Sequence, residues 1–229
     1  MYRLLLATLA FLGLFACAEP VPQGDGAHVL VLGDSMFATN RLTGAGVGDV
    51  IEQTLARHVT DRSVPGARYF HRLPISSAAG LRLTSQYQPG NWDVIVLNGG
   101  GNDLLFGCGC GRCDGVLDRL IAPDGRSGAI PKYVKSLRDT GAFVVYAGYM
   151  RNPGIFTPVR ACGPAGNELD RRLAALDALD DGMVFVPMAD LVPYGDSSFH
   201  GPDGIHPTVK GSREIALRIV QAIQNHVGK

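Results

Sequence analysis

Three short blocks hold the residue types that nucleophilic catalysis requires: Gly33-Asp34-Ser35, Gly100-Gly101-Asn102-Asp103 and Asp203-Gly204-Ile205-His206. A serine hydroxyl is too weak an acid to attack an ester unaided near neutral pH. It needs a neutral imidazole to take its proton and fixed donors to hold the charge that builds on the carbonyl oxygen. Ser35 supplies the nucleophile, His206 the general base and later acid, and Asp203 the carboxylate that orients the imidazole. Asn102 offers a side-chain amide that can be aimed at one point, and the backbone N–H of Ser35 offers a second donor. Loss of one such donor typically costs about 3 kcal/mol of transition-state stabilisation.

Each block alone has a plainer reading as turn chemistry or a helix start. The chain itself illustrates this with a second Gly-Asp-Ser at Gly195-Asp196-Ser197, which follows Pro193-Tyr194 rather than an apolar run and reads as loop. His28, His58, His71, His200 and His226 lack comparable neighbours and read as surface or structural residues. What favours chemistry is all three blocks together, in this order, the first two placed directly after the apolar runs Val29-Leu30-Val31-Leu32 and Val94-Ile95-Val96-Leu97.

The arrangement resembles the SGNH hydrolases, also called the GDSL esterase/lipase family, whose pattern is a Ser in Gly-Asp-Ser, a Gly, an Asn in Gly-x-Asn-Asp and a His in Asp-x-x-His. Ser35, Asn102, Asp203 and His206 fall on it directly, and the resemblance runs from His28 to Pro207. It implies a third oxyanion donor from a glycine between the first two strands, for which Gly80 in Ile75-Ser76-Ser77-Ala78-Ala79-Gly80 is the candidate. Met36 stands where the name-giving leucine usually sits, and no asparagine precedes Gly80. The implied fold is a three-layer α/β/α sandwich, flavodoxin-like, around a parallel five-stranded sheet. The implied activity is hydrolysis of carboxylic esters or thioesters, with no cofactor and no metal.

The elements that must position these residues show in the periodicity. Strand candidates lie at His28–Leu32, Arg68–Arg72, Val94–Leu97, Phe143–Gly148 and Met183–Pro187, and helical patterns at Val47–Val59, Ile130–Thr140, Asn167–Leu179 and Thr208–His226. In the last, Ile215, Ile219, Ala222 and Ile223 form one apolar face. Strands separated by helices imply a parallel sheet with right-handed crossovers, and ligands then bind at the carboxyl ends of the strands. Phe106 to Gly128 reads as an irregular insertion near the site, within a Cys-rich loop at about 104–128.

The N-terminus reads as an export signal over residues 1–18: Arg3 is followed by an uncharged stretch, Leu4 to Ala18, shorter than the roughly 20 residues of a membrane span. Two endings compete. Ala16-Cys17-Ala18 fits a small-x-small cleavage site that leaves a soluble protein, whereas Leu14-Phe15-Ala16-Cys17 resembles a bacterial lipobox that would lipidate Cys17 and tether the protein to a membrane. Residues 19–26 then form a short tether and 27–229 one catalytic domain, in a bacterial periplasm, on its membrane or secreted. In that oxidising setting Cys108, Cys110, Cys113 and Cys162 are expected to form two disulfides. Adjacent pairing of Cys108 with Cys110 is geometrically poor. Cys108–Cys113 with Cys110–Cys162, or Cys110–Cys113 with Cys108–Cys162, remain.

Composition narrows the partners. Lys plus Arg and Asp plus Glu each number 21 of 229 residues, a net charge of +0, and no basic stripe suited to nucleic acid is visible. A monomer acting on a small-molecule, lipid or glycan ester is expected; the other class considered is a non-catalytic envelope module holding a polar ligand in the same crevice. No Gly-x-Ser-x-Gly elbow of an α/β-hydrolase is present, and His206 has no companion histidine at metal-ligand spacing. The loops Phe37–Gly46, Leu104–Gly125 and Tyr149–Cys162 should set specificity, and their mixture of apolar residues with Arg151 and Arg160 suits a short or medium acyl chain.

Overall fold

The structure, a computed structural model, describes residues 28–71 and 75–227. The export signal, Cys17 and the tether of residues 19–26 lie outside the described residues. In chain order the elements are β1 (Val29–Leu32), α1 (Ser35–Ala38), α2 (Val47–Leu55), β2 (Val59–Asp61), α3 (Ile75–Ala78), β3 (Val94–Leu97), α4 (Gly101–Cys108), α5 (Asp114–Leu120), α6 (Ala129–Arg138), β4 (Phe143–Ala147), α7 (Gly163–Asp177), β5 (Met183–Val186) and α8 (Val209–Val227). The five strands form one sheet in the order β2-β1-β3-β4-β5, every pair parallel.

The strands are Val-, Ile- and Leu-rich runs because a parallel sheet is covered on both faces. Alternation divides them between two cores. Leu30, Leu32, Ile95, Leu97, Val144 and Tyr146 pack with Leu104, Leu120, Ile130 and Leu169 of α4 to α7. Val29, Val31, Val94, Val96 and Val145 pack with Phe37, Ile51, Ile215, Ile219 and Ile223 of α1, α2 and α8. The result is the three-layer α/β/α sandwich. Its strand order reverses between β1 and β3, and open sheets of this order bind ligands at that switch point.

Three segments depart from the sequence reading. In place of the strand expected at Arg68–Arg72 the sheet's edge is β2, whose first residue, Val59, read as the end of a helix. Helix α2 stops at Leu55, with Ala56 in the left-handed region at φ 49°, and the β-branched pair Val59-Thr60 then joins β1. Arg68 makes only an isolated bridge to Arg82; the N–H groups of Tyr69 and Phe70 donate instead to the Asp103 carboxylate at 3.0 and 2.9 Å. The segment expected to be irregular, Phe106 to Gly128, contains the end of α4 and all of α5.

Candidate active site

Ser35 is set at the switch point by the way β1 ends. After Leu32 the chain turns at Gly33, whose N–H donates to Gln86 Oε1 (2.8 Å) and whose carbonyl accepts from Gln86 Nε2 (2.9 Å). Asp34 then caps α1, accepting from the Met36 N–H at 2.9 Å. Ser35 is the first residue of that helix, so its N–H has no acceptor within α1. A side chain at Gly33 would meet the Phe37 ring at 2.9 Å, which is why the turn carries none.

His206 arrives from the opposite end of the chain. The loop before α8 is closed by hydrogen bonds from Gly201 N to the His206 carbonyl (2.8 Å) and from Thr208 N to the Phe199 carbonyl (2.9 Å). Asn40, just past α1, donates to the Pro207 carbonyl at 3.2 Å and so ties this loop to the serine's side. His206 Nε2 lies 2.9 Å from Ser35 Oγ, and His206 Nδ1 lies 2.5 Å from Asp203 Oδ2. The other oxygen of Asp203 accepts from the N–H groups of Ile205 and His206 at 2.9 and 3.0 Å. Burial alone would raise the Asp203 carboxyl; the hydrogen bonds from the His206 ring and the two N–H groups outweigh it and hold it at about 2. It is therefore ionised throughout the neutral range.

Asn102 stands in the first turn of α4, directly beyond β3. One of its amide hydrogens is held by the Ala67 carbonyl at 3.2 Å; the other faces Asp34 Oδ2 at 3.4 Å, long for a hydrogen bond and able to turn toward a substrate oxygen. Behind these groups runs a buried relay. Tyr149 donates to Asp34 Oδ2 at 2.6 Å and accepts from the Gly101 N–H at 3.0 Å, so one phenol links the serine turn to the asparagine helix. Burial first, and the Asp34 charge second, push this phenol far above its ordinary value, so it keeps its proton. Burial raises Asp34 as well, against the pull of Tyr149, the Met36 N–H and His206. Gly101 permits this approach, since a Cβ there would meet the tyrosine ring at 2.7 Å.

Ser35, Asn102 and His206 thus line one cleft, and Asp203 reaches it through its bond to His206. Gly80 does not. Its N–H donates to the Ser77 carbonyl at 3.1 Å, and it lines a separate polar cavity with Arg41, Asp61 and Gln86. Another glycine, Gly66, immediately precedes the Ala67 carbonyl that holds Asn102. It sits at φ 78° in a turn closed by Ala67 N to the Val64 carbonyl (3.1 Å), and Pro65-Gly66 is the local signal that marks such a turn. Tyr149, expected as the start of a specificity loop, proves to bond Asp34 and Gly101 instead, at the carboxyl end of β4. The cysteines pair as Cys108–Cys113 and Cys110–Cys162, the first of the two expected patterns. Cys162 forms part of the cleft wall.

Comparison with known proteins agrees with the fold. The GDSL-like lipase/acylhydrolase family matches residues 31–214. Among solved structures, the chain is similar to a candidate SGNH hydrolase from Slackia heliotrinireducens, with 20% identity, a TM-score of 0.58, and coverage of 87% of this chain and 100% of that one. A member of the lipolytic protein G-D-S-L family from Veillonella parvula gives 15% identity and a TM-score of 0.61, covering 86% and 98%. A family two carbohydrate esterase from Clostridium thermocellum, in complex with cellohexaose, gives 14% and 0.54, covering 93% and 67%. At these identities the likeness is one of fold. Among the curated proteins, none matches the chain.

Proposed function

The chain belongs to the GDSL-like lipase/acylhydrolase family and is an ester-bond hydrolase, and from that premise we propose that Ser35, His206 and Asp203 carry its chemistry. As Ser35 Oγ attacks the ester carbonyl, its proton passes to His206 Nε2, and the Asp203 carboxylate steadies the imidazolium that forms. The Asn102 amide and the N–H groups of Ser35 and Gly66 receive the oxyanion. Collapse of the tetrahedral intermediate expels the alcohol or thiol, which takes the proton from His206. Water then attacks the acyl-serine, with His206 as base again, and releases the carboxylic acid.

The observation that carries this reading is the continuous line from Ser35 Oγ through the two nitrogens of His206 to Asp203, assembled from residues 171 positions apart. Replacing Ser35→Ala in the folded protein should lower kcat/KM for p-nitrophenyl esters by several orders of magnitude, because the members of such a unit fail together. Retention of more than about a tenth of the activity would remove Ser35 from the mechanism. The leader supports export to a bacterial envelope, with Cys17 as lipid anchor or Ala18 as cleavage point; the mass of the mature N-terminal peptide distinguishes them. Lipid esters, thioesters and glycan esters all present the bond this machinery cleaves.

A further inference from the structure

The cleft at Ser35 opens into a cavity of about 260 Å³. Beyond Ser35, Asn102 and His206, its wall is mainly apolar: Leu104 and Leu105 from α4, Leu169 from α7, and Met150 and Val159 from the segment between β4 and α7. Leu104 and Leu169 are almost wholly buried. The charged groups at the wall hold protein partners. Arg151 donates to Asp170, Asn167 and the Tyr149 carbonyl. Arg160 donates to the Ile155 carbonyl, and Asp34 accepts from Tyr149 and Met36. Asn152, Thr157 and His200 also line it, with Asn152 Oδ1 and His200 Nδ1 lacking partners among the described residues, yet most of the wall offers more to a hydrocarbon chain than to the hydroxyls of a sugar.

Size sets the length. An apolar cavity of about 150 Å³ holds a benzene molecule, or about 25 Å³ per carbon, so a cavity of this volume holds on the order of ten non-hydrogen atoms. Three or four of these, roughly, are the reacting ester atoms at Ser35. Direction follows from the proton: His206 must reach the leaving alcohol, whereas the apolar wall rises mainly from α4, which carries Asn102, and from α7 facing it. Resting on the ester-hydrolase reading above, we infer that this cavity is an acyl-binding pocket and that the substrates are esters of medium-chain acyl groups, of about six to eight carbons, rather than acetyl esters.

An acetyl group leaves most of the pocket unfilled. Each methylene that it buries should raise kcat/KM by about fourfold. The Cys110–Cys162 disulfide places Cys162 in the wall and joins it to the end of α4, which sets a limit on longer chains.

The test is kcat/KM of the purified protein on p-nitrophenyl acetate, butyrate, hexanoate, octanoate, decanoate and palmitate, each below its aggregation threshold. The expected profile climbs by about fourfold per methylene to a maximum at hexanoate or octanoate and falls by more than about tenfold at palmitate. Leu105→Trp should lower the octanoate-to-acetate ratio by about tenfold or more. Gly163→Leu is the second variant; Gly163 lines the pocket, has φ −50°, and a Cβ there meets nothing within 4 Å, so the backbone accepts it. The ratio does not depend on how much of a variant folds. A preference for acetate, a flat series, or an unchanged ratio in both variants overturns the acyl pocket while leaving the hydrolase reading in place. Hydrolysis of no ester at all by folded protein overturns both.

Discussion

Oxyanion donors act only when held within a fraction of an ångström of their working positions, so in the proposed mechanism what fixes Asn102 matters as much as Asn102 itself. Tyr149 has that role in the geometry: one hydroxyl donates to Asp34, beside Ser35, and accepts from Gly101, beside Asn102. Tyr149→Phe keeps the ring and removes both bonds. It should lower kcat by about 10- to 100-fold with little change in KM, since a misplacement of about 1 Å costs that much in rate. The two buried polar groups left behind should reduce stability by about 2–4 kcal/mol. Steady-state kinetics with a denaturant melt would measure both, and an unchanged kcat would exclude the positioning role. Tyr149 was not legible in the sequence, because its meaning is a contact 115 positions away. Ser35, His206 and Asp203, which the fold brings into one hydrogen-bonded line, were legible because each sits in a short local block, the serine's directly after a buried strand. The glycine was not: Gly66 and Gly80 both follow β2, and only the folded loop puts Ala67, next to Gly66, against Asn102.

At the scale of elements, the strands that could be read are those whose residues are apolar on both faces, β1, β3, β4 and β5. β2 escaped because it has three residues, ends in a carboxylate and follows a helix whose stop is an alanine in the left-handed region. α4 escaped because its glycines, Gly101 and Gly107, carry little helix propensity of their own. That helix is held from outside, by Tyr149 at its first turn and by disulfides at its last. Cys110–Cys162 closes a loop of 52 residues, worth about 4 kcal/mol in the chain-entropy model. The double change Cys110→Ser with Cys162→Ser should therefore lower Tm by on the order of 10 °C, as should mild reduction of the native protein. Turnover should fall with it, because α4 carries Asn102. Equal melting temperatures with and without reductant would show that the bridge contributes nothing to the folded state.

Across the whole molecule the charges balance, so its response to pH comes from particular buried groups rather than net repulsion. The clearest lies outside the catalytic cleft, at the edge strand β2. Asp61 sits under the start of α2, so close that a Cβ on Gly48 would meet its Oδ2 at 2.9 Å. Its Oδ1 accepts from Ser63 N and Oγ at 2.8 and 2.6 Å, while Oδ2 is buried without a hydrogen-bond partner among the described residues. Burial lifts this carboxyl from 3.8 to about 6, against the Ser63 bonds and the Arg41 charge, with Asp49 adding to the rise. The folded state thus binds the proton more tightly than the unfolded chain. The stability that this contributes is fully present below the unfolded value of 3.8 and is lost as pH rises through about 6. A shift of about two units corresponds to about 3 kcal/mol. Asp61→Asn removes that titration and keeps the shape, while Arg41 retains its bond to the Ser63 carbonyl at 2.9 Å. Denaturant melts at intervals from about pH 4 to 7 should show the wild type losing about 2–3 kcal/mol more than the variant across that range, with the change centred between the two values. Parallel curves for the two proteins would mean that Asp61 titrates alike in the folded and unfolded chain, and that water or local movement relieves the burial at Oδ2.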